Sequence, residues 1–256
     1  MAMKDRTPAM NFMHLQSLIG RYKDKAAGLA MVRELAAGHD ALPEAHYAIA
    51  QAAWHANEYP VAAEALDRAL RLKPDWESAA LMRGQLHQRQ GDDAMLAYWK
   101  TFLEAHPDAN EVRMANAKAL AKAGRYLEAR AEFGNMTKKA GNQAEIKYAI
   151  GLLSMQIEDL DGAESSFLDA LRQGYHDDEN IRLYLAQISE SKERFEDALK
   201  RYDEIGPGGR YLEARLKSAV LLGKMKRLAE GRSRLEQLKP ANDQERVRIH
   251  QTEAQM

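Results

Sequence analysis

Residues 43–74 read PEAHYAIAQAAWHANEYPVAAEALDRALRLKP. Two helical stripes share this string. Ile49, Ala50 and Ala53 form the first; Ala62, Leu66, Ala69 and Leu70 form the second, at the spacing of one helix face. Asn57 and Tyr59 fall between them, and Pro74 stops the second helix because proline cannot continue one. Moving outward, the same order returns. Gly84, Gly91, Met95, Trp99, Phe102 and Pro107 repeat it from residue 77. Ala117, Leu120, Gly124, Tyr126, Ala129 and Phe133 repeat it from 110. Gly151, Leu160, Ala163, Phe167 and Ala170 repeat it from 144, and Ala186, Phe195, Ala198, Tyr202 and Ile205 from 179. The starts are separated by 34, 33, 34 and 35 residues.

The pattern has a packing logic. Ala50, Gly84, Ala117, Gly151 and Ala186 sit mid-way along each first helix, where a small side chain lets two helices cross closely. Ala62, Ala129, Ala163 and Ala198 do the same in the second helix. One turn further on the same face lie Leu66, Phe133, Phe167 and Tyr202, which fill the space beside them. Gly91 and Gly124 mark turns between paired helices.

Both ends are weaker. One period before 43 the spacing predicts a unit from about Ala9, with Phe12, Leu15 and Ile19 on a first helix, Gly28 as the small residue, and Val32 and Leu35 on a second. From Gly208, the residues Tyr211, Ala214, Ser218 and Leu222 predict a first helix, and Leu228, Gly231, Leu235 and Leu238 a second, stopped by Pro240. A last amphipathic stretch follows Asp243, a suitable N-cap. Residues 241–256 either close the array with a polar outer face or begin a repeat of a longer chain. Gly206-Pro-Gly-Gly209 is either a tight turn between units or a hinge.

This periodicity resembles the tetratricopeptide repeat, two helices per ~34 residues. The resemblance implies an all-α fold: one right-handed α-solenoid of antiparallel helix pairs, wound as a superhelix. Its units would lie near 9–42, 43–76, 77–109, 110–143, 144–178, 179–207 and 208–240, with a terminal helix at 243–256.

Composition excludes several function classes. The chain has 256 residues with 37 Lys plus Arg and 38 Asp plus Glu, a net charge of −1, which argues against a general nucleic-acid binder. Cysteine is absent, so thiol chemistry, disulfides and Cys-ligated metals are excluded. No run of 18 apolar residues exists to span a membrane, and the first eight residues lack the apolar core of a signal peptide. The 8 His form no dense ligand spacing; His46 and His55 stand nine apart. His176-Asp177-Asp178-Glu179 looks metal-like but suits the start of a helix, where acids complement the dipole. Asn135-Met-Thr137 matches the glycosylation tripeptide but falls in a predicted helix, and no Gly-x-Ser-x-Gly elbow occurs. The expectation is a protein that is not an enzyme, with no cofactor and no metal.

What remains is surface. In tetratricopeptide solenoids the first helices line a concave groove. Carrying the family's contact positions over gives Tyr47, Gln51, Trp54 and His55, then Leu81, Gln85, Gln88 and Arg89. Met114, Lys118 and Lys122 follow, then Tyr148, Leu152, Met155 and Gln156, then Leu183, Gln187 and Glu190. Aromatics offer large contact area, methionine adapts to varied partners, and glutamine amides bond an extended backbone. The groove therefore suits a protein or peptide partner. Tyr47, Leu81, Tyr148 and Leu183 equally suit packing between repeats. The grip on a terminal carboxylate found in some relatives fits poorly: Gln51, Gln85 and Gln187 stand where Asn is expected, and Lys118 alone is basic at that slot.

Charge is uneven. Residues 155–180 hold eight acids and one base, and residues 208–240 nine bases and three acids. These are either solvated helix faces or a docking pair, for partners or self-association.

Residues 44–53 (EAHYAIAQAA), Ile181 to Ser189, Tyr202 and the glycine loop are also similar to a group of proteobacterial tetratricopeptide lipoproteins. That resemblance implies a scaffold at the periplasmic side of the outer membrane, an adaptor delivering substrates to a carboxyl-terminal processing protease. The lipid-anchored cysteine of that group is absent here. The alternatives are a cytoplasmic regulator or co-chaperone-like peptide-binding module, or an accessory domain of an enzyme.

Overall fold

The computed structural model describes residues 8–12, 24–136 and 141–256. The expected positions of Leu15, Ile19 and Thr137 lie outside the described residues. Every element among the described residues is helical. The chain divides into two compact units, Met1–Ala140 and Gly141–Met256.

In the first unit residues 8–12 are helical, with Phe12 buried. Seven helices follow: α1 (Lys25–Ala36), α2 (Pro43–His55), α3 (Tyr59–Leu72), α4 (Glu77–Gln88), α5 (Asp92–Ala105), α6 (Asn110–Lys122) and α7 (Tyr126–Gly134). Asp24 caps α1 by accepting from the Ala27 N–H at 3.0 Å. Pro43 opens α2, where its missing N–H would have no partner inside the helix. The pairs α2/α3, α4/α5 and α6/α7 pack internally, and α3 packs on α4 and α5 on α6.

The second unit repeats the arrangement with α8 (Gln143–Gln156), α9 (Leu160–Arg172), α10 (Asp178–Ser191), α11 (Phe195–Asp203), α12 (Tyr211–Lys224), α13 (Leu228–Glu236) and α14 (Asp243–Gln255). Asn242 caps α14 through the Glu245 N–H at 2.9 Å. Arg210, which follows the loop 206–209, is fastened inside this unit. Glu179 accepts from the Arg210 N–H at 3.2 Å, and Arg210 Nε donates to Asn180 Oδ1 at 2.6 Å.

The small residues are small because aromatic rings occupy their space. A Cβ added to Gly84 would lie 2.6 Å from Trp99 Cε2, and one added to Gly151 would lie 2.6 Å from Phe167 Cε1. Trp99 is held in that place by donating its Nε1–H to the Ala80 carbonyl at 3.3 Å. Ala50, Ala117 and Ala186 are fully buried at the equivalent positions, as are Leu66, Phe167 and Tyr202 on the facing helices.

The turns inside each pair all pass through a residue of positive φ. Asn57, Gly91, Gly124, Glu158, Glu193 and Lys226 all have positive φ. At five of them the next N–H reaches back to a carbonyl of the preceding helix: Glu58 to Ala53, Arg125 to Leu120, Asp159 to Ser154, Arg194 to Ser189 and Arg227 to Leu222. This bond closes the helix end and satisfies a carbonyl that would otherwise lack a partner. Gly91 takes a different conformation, with φ 124° and no such bond, and Gly124 adopts the common one without a steric penalty. Glu158, Glu193 and Lys226 adopt it as well, and no turn residue in the sequence announced them.

Candidate partner-binding surface

In the first unit the expected contact residues divide between packing and exposure. Tyr47 is 9% exposed, and its ring lies 4.6 Å from that of Trp76. Burial pushes its phenol up, with the Gln51 amide opposing that through a hydrogen bond. Gln51 is half-buried, and its Oε1 is buried with no hydrogen-bond partner. Trp54 is half-buried and meets Tyr59 edge to face at 5.8 Å. The Arg89 guanidinium lies 3.8 Å over the other participant, Tyr59. Trp54, Tyr59 and Arg89 thus form one aromatic and cationic cluster at the ends of α2 and α4. Tyr59 was not among the expected contacts, because its place opening a second helix lies off the family's groove positions.

His55, Gln85, Gln88, Lys118 and Lys122 are exposed. Gln88 donates to Asp92 Oδ1 at 2.9 Å. Met114 is half-buried. Lys118 and Lys122, one turn apart on α6, make no ion pair among the described residues. They, Gln85 and His55 are expected contact residues that are exposed and make no hydrogen bond or ion pair among the described residues.

In the second unit Tyr148 belongs to an aromatic cluster. It stacks on Tyr175 at 4.4 Å and lies 5.9 Å from Phe167, which stacks on Tyr184 at 5.3 Å. Burial pushes the Tyr148 phenol up, and the neighbouring Tyr184, Tyr175 and Asp177 add to that. Leu152 and Met155 are partly buried against the same cluster, and Gln187 is half-buried. Tyr148, Leu152 and Met155 therefore pack between α8, α9 and α10. Sequence alone could not separate the two uses, since a large apolar residue at a first-helix position serves either.

The acidic and basic stretches find partners within this unit. Glu164 meets Lys192 at 2.9 Å, Arg194 at 2.7 Å and Arg201 at 3.0 Å. Asp169 pairs with Lys147 at 3.2 Å and with Arg172. Asp177 caps α10 at the Asn180 N–H. On the basic side Arg215 meets Asp203 at 2.6 Å, Arg227 meets Glu196 at 3.0 Å, and Lys224 meets Glu190 at 2.5 Å. Arg234 pairs with Asp203 as well.

One cleft includes, of the positions carried over from the family, Glu190 alone. Glu190 of α10, Glu213 to Lys224 of α12 and Arg248 to Gln255 of α14 line a cavity of about 520 Å³. Every lining residue comes from a first-type helix or from α14. No residue of α11 or α13 takes part.

Among the described residues no group of three His, Asp or Glu could hold a metal ion. His46 is buried and bonds the Asp40 carbonyl through Nε2 at 2.8 Å. No described helix is long and apolar enough to cross a membrane.

The tetratricopeptide repeat family matches residues 43–76 and 81–145. No curated protein sequence matches the chain. Among solved structures, the chain is similar to the C-terminal part of a repeat-containing protein from Cytophaga hutchinsonii. That match has a TM-score of 0.62 and 12% identity, covering 93% of this chain and 98% of that one. It is similar to a chain of the Naa15/Naa10 complex bound to HypK-THB, with a TM-score of 0.65 and 16% identity, covering 96% of this chain and 39% of that one. Pseudomonas aeruginosa pilF gives a TM-score of 0.50 at 16% identity, covering 84% and 97%. At these identities the likeness establishes the fold: an all-helical array of tetratricopeptide type.

Proposed function

We propose, starting from the tetratricopeptide repeats that this chain carries, that it is a non-catalytic scaffold holding a protein partner on its first-helix faces. The observation that carries the reading is the pair Lys118 and Lys122 with Gln85: exposed, on adjacent first helices, and engaged in no ion pair among the described residues. Long polar side chains left free beside a packed helix pair are available to a partner at no cost to the fold. The cluster of Trp54, Tyr59 and Arg89 beside them supplies aromatic and guanidinium contacts, the residue types that dominate binding energy at interfaces.

The finer reading is an adaptor in the bacterial envelope, associated with the outer membrane and presenting substrates to a protease. It rests on the similarity of residues 44–53 and 181–189 to exported repeat lipoproteins.

The test is affinity capture from separated periplasmic and cytosolic extracts, using the wild-type chain and the double variant Lys118→Glu/Lys122→Glu. Retention of an envelope protease that the variant loses supports both readings. Retention of cytosolic proteins alone, lost in the variant, keeps the scaffold and removes the envelope role. Retention unchanged in the variant and in Trp54→Ala overturns the first-helix surface.

A further inference from the structure

We infer that the cleft between α12 and α14 is a docking groove for an extended acidic segment of a partner protein. The inference rests on the scaffold reading and names the chemistry of a surface that reading leaves undefined. The argument begins with charge. Two carboxylates border the cleft, and both are already engaged. Glu190 holds Lys224 at 2.5 Å and accepts from the Tyr202 hydroxyl at 3.2 Å; Glu213 accepts from Arg210 at 3.0 Å. Three cations line the same space: Lys224, which Glu190 already holds, and Lys217 on α12 and Arg248 on α14, neither of which has an ion-pair partner among the described residues. The cleft therefore presents unpaired positive charge on both walls, in a chain whose overall net charge is −1.

The rest of the lining defines what the charge would hold. Leu216 and Val220 give an apolar surface between the walls, and Gln251 and Gln255 bring side-chain amides from α14. Thr252 is spent on its own helix, donating to the Arg248 carbonyl at 2.8 Å. Amides that both donate and accept suit a peptide backbone, and the apolar strip suits alternate side chains. The volume, about 520 Å³, falls in the ordinary range of ligand clefts. A dense polyanion fits less well. Glu190 and Glu213 at the rim would repel a continuous row of phosphates, whereas separated carboxylates can meet Lys217 and Arg248 and avoid them.

The spacing supports an extended ligand. Lys217, Val220 and Lys224 share one face of α12, and Arg248, Thr252 and Gln255 share the facing side of α14. The groove thus runs along two neighbouring helices and is open at the surface.

The experiment is fluorescence anisotropy with the whole chain. The probe is a labelled peptide of glutamate, leucine and alanine; its lysine counterpart, heparin and anionic phospholipid vesicles are comparison ligands. The acidic peptide should bind, weaken as salt rises, and bind about tenfold or more weakly to Lys217→Glu/Arg248→Glu. The neutral variant Lys217→Gln/Arg248→Gln should show a smaller loss in the same direction. Lys226→Glu/Lys239→Glu, which changes charge equally outside the cleft, should bind as the wild type does. Equal loss in both charge-reversed variants overturns the site and leaves the scaffold reading intact. Absence of acidic-peptide binding by a chain that still captures its partner overturns the chemistry alone. Tighter binding of heparin or vesicles, lost in the same cleft variants, replaces the peptide with a phosphate or sulfate polyanion. Circular dichroism on each variant separates lost binding from lost folding.

Discussion

Phe167 lies where a side chain of Gly151 would be, and Trp99 lies where one of Gly84 would be. At this scale the fold is a set of exclusions: one position must be empty for its neighbour to be large. Gly151→Ala should therefore destabilise by about 1–3 kcal/mol, the usual cost of overpacking a filled core. Urea denaturation would measure it. The pairing gives a sharper check, because Gly151→Ala combined with Phe167→Leu should recover part of the loss, an interaction absent if the two residues act independently. These positions were legible in the sequence because a small residue and a large one alternate at a fixed spacing, which only packing imposes. The contact residues were less legible. Lys118 and Lys122 emerged exposed, while Tyr47 lies against Trp76 and Tyr148 against Tyr175. An aromatic side chain carries no mark that tells a groove from a seam between helices.

At the scale of elements, helices are joined by acids that reach across them. Glu77 opens α4, yet its carboxylate accepts from the N–H groups of Glu111 at 2.6 Å and Val112 at 3.0 Å, in the first turn of α6. Glu179 of α10 does the same for Arg210, at the start of α12. Glu77→Gln should cost about 1 kcal/mol, as loss of a helix cap does. Hydrogen exchange should locate it, with faster exchange at Glu111 and Val112 and little change within α4. Glu164 of α9 ties three cations in a similar way, Lys192 and Arg194 from the turn between α10 and α11 and Arg201 from α11. Burial works to raise its carboxyl, but Lys192 and Arg194 outweigh that and hold it below its ordinary value. A carboxyl bound more weakly by protons when folded adds stability above its unfolded value of about 4.3, lost as pH falls through the folded one. The melting temperature should thus drop on acidification below about pH 4. Glu164→Gln should lower it at neutral pH and make the acid limb shallower. Helix starts were legible through periodicity and proline. The turn residues Glu158, Glu193 and Lys226 were not, since neither glutamate nor lysine signals a left-handed backbone.

For the molecule as a whole, charge is arranged within the second unit more than it is displayed. The acidic stretch 155–180 and the basic stretch 208–240 both pair with residues between them, chiefly Glu190 to Asp203. Self-association through these stretches would have to break those pairs. With a net charge of −1 there is little overall repulsion for salt to relieve. Added sodium chloride should consequently lower the melting temperature slightly, each exposed pair being worth about 0–1 kcal/mol. A rise with salt would show that repulsion outweighs pairing. The division after Ala140 left no mark in the repeat pattern, whose only glycine cluster, 206–209, is followed by Arg210, bonded through its N–H to Glu179. The reach of Glu77 to a helix beginning 33 residues later also bears on how such arrays can be cut and rejoined. The stretch that the genetic text repeats is not the stretch that folding completes. Excising 77–109 as a module removes a donor of stability from a neighbour left behind, and transplanting it elsewhere carries a cap with nothing to close. Shuffled arrays should tolerate joins best where the incoming segment brings an acid at its own first position.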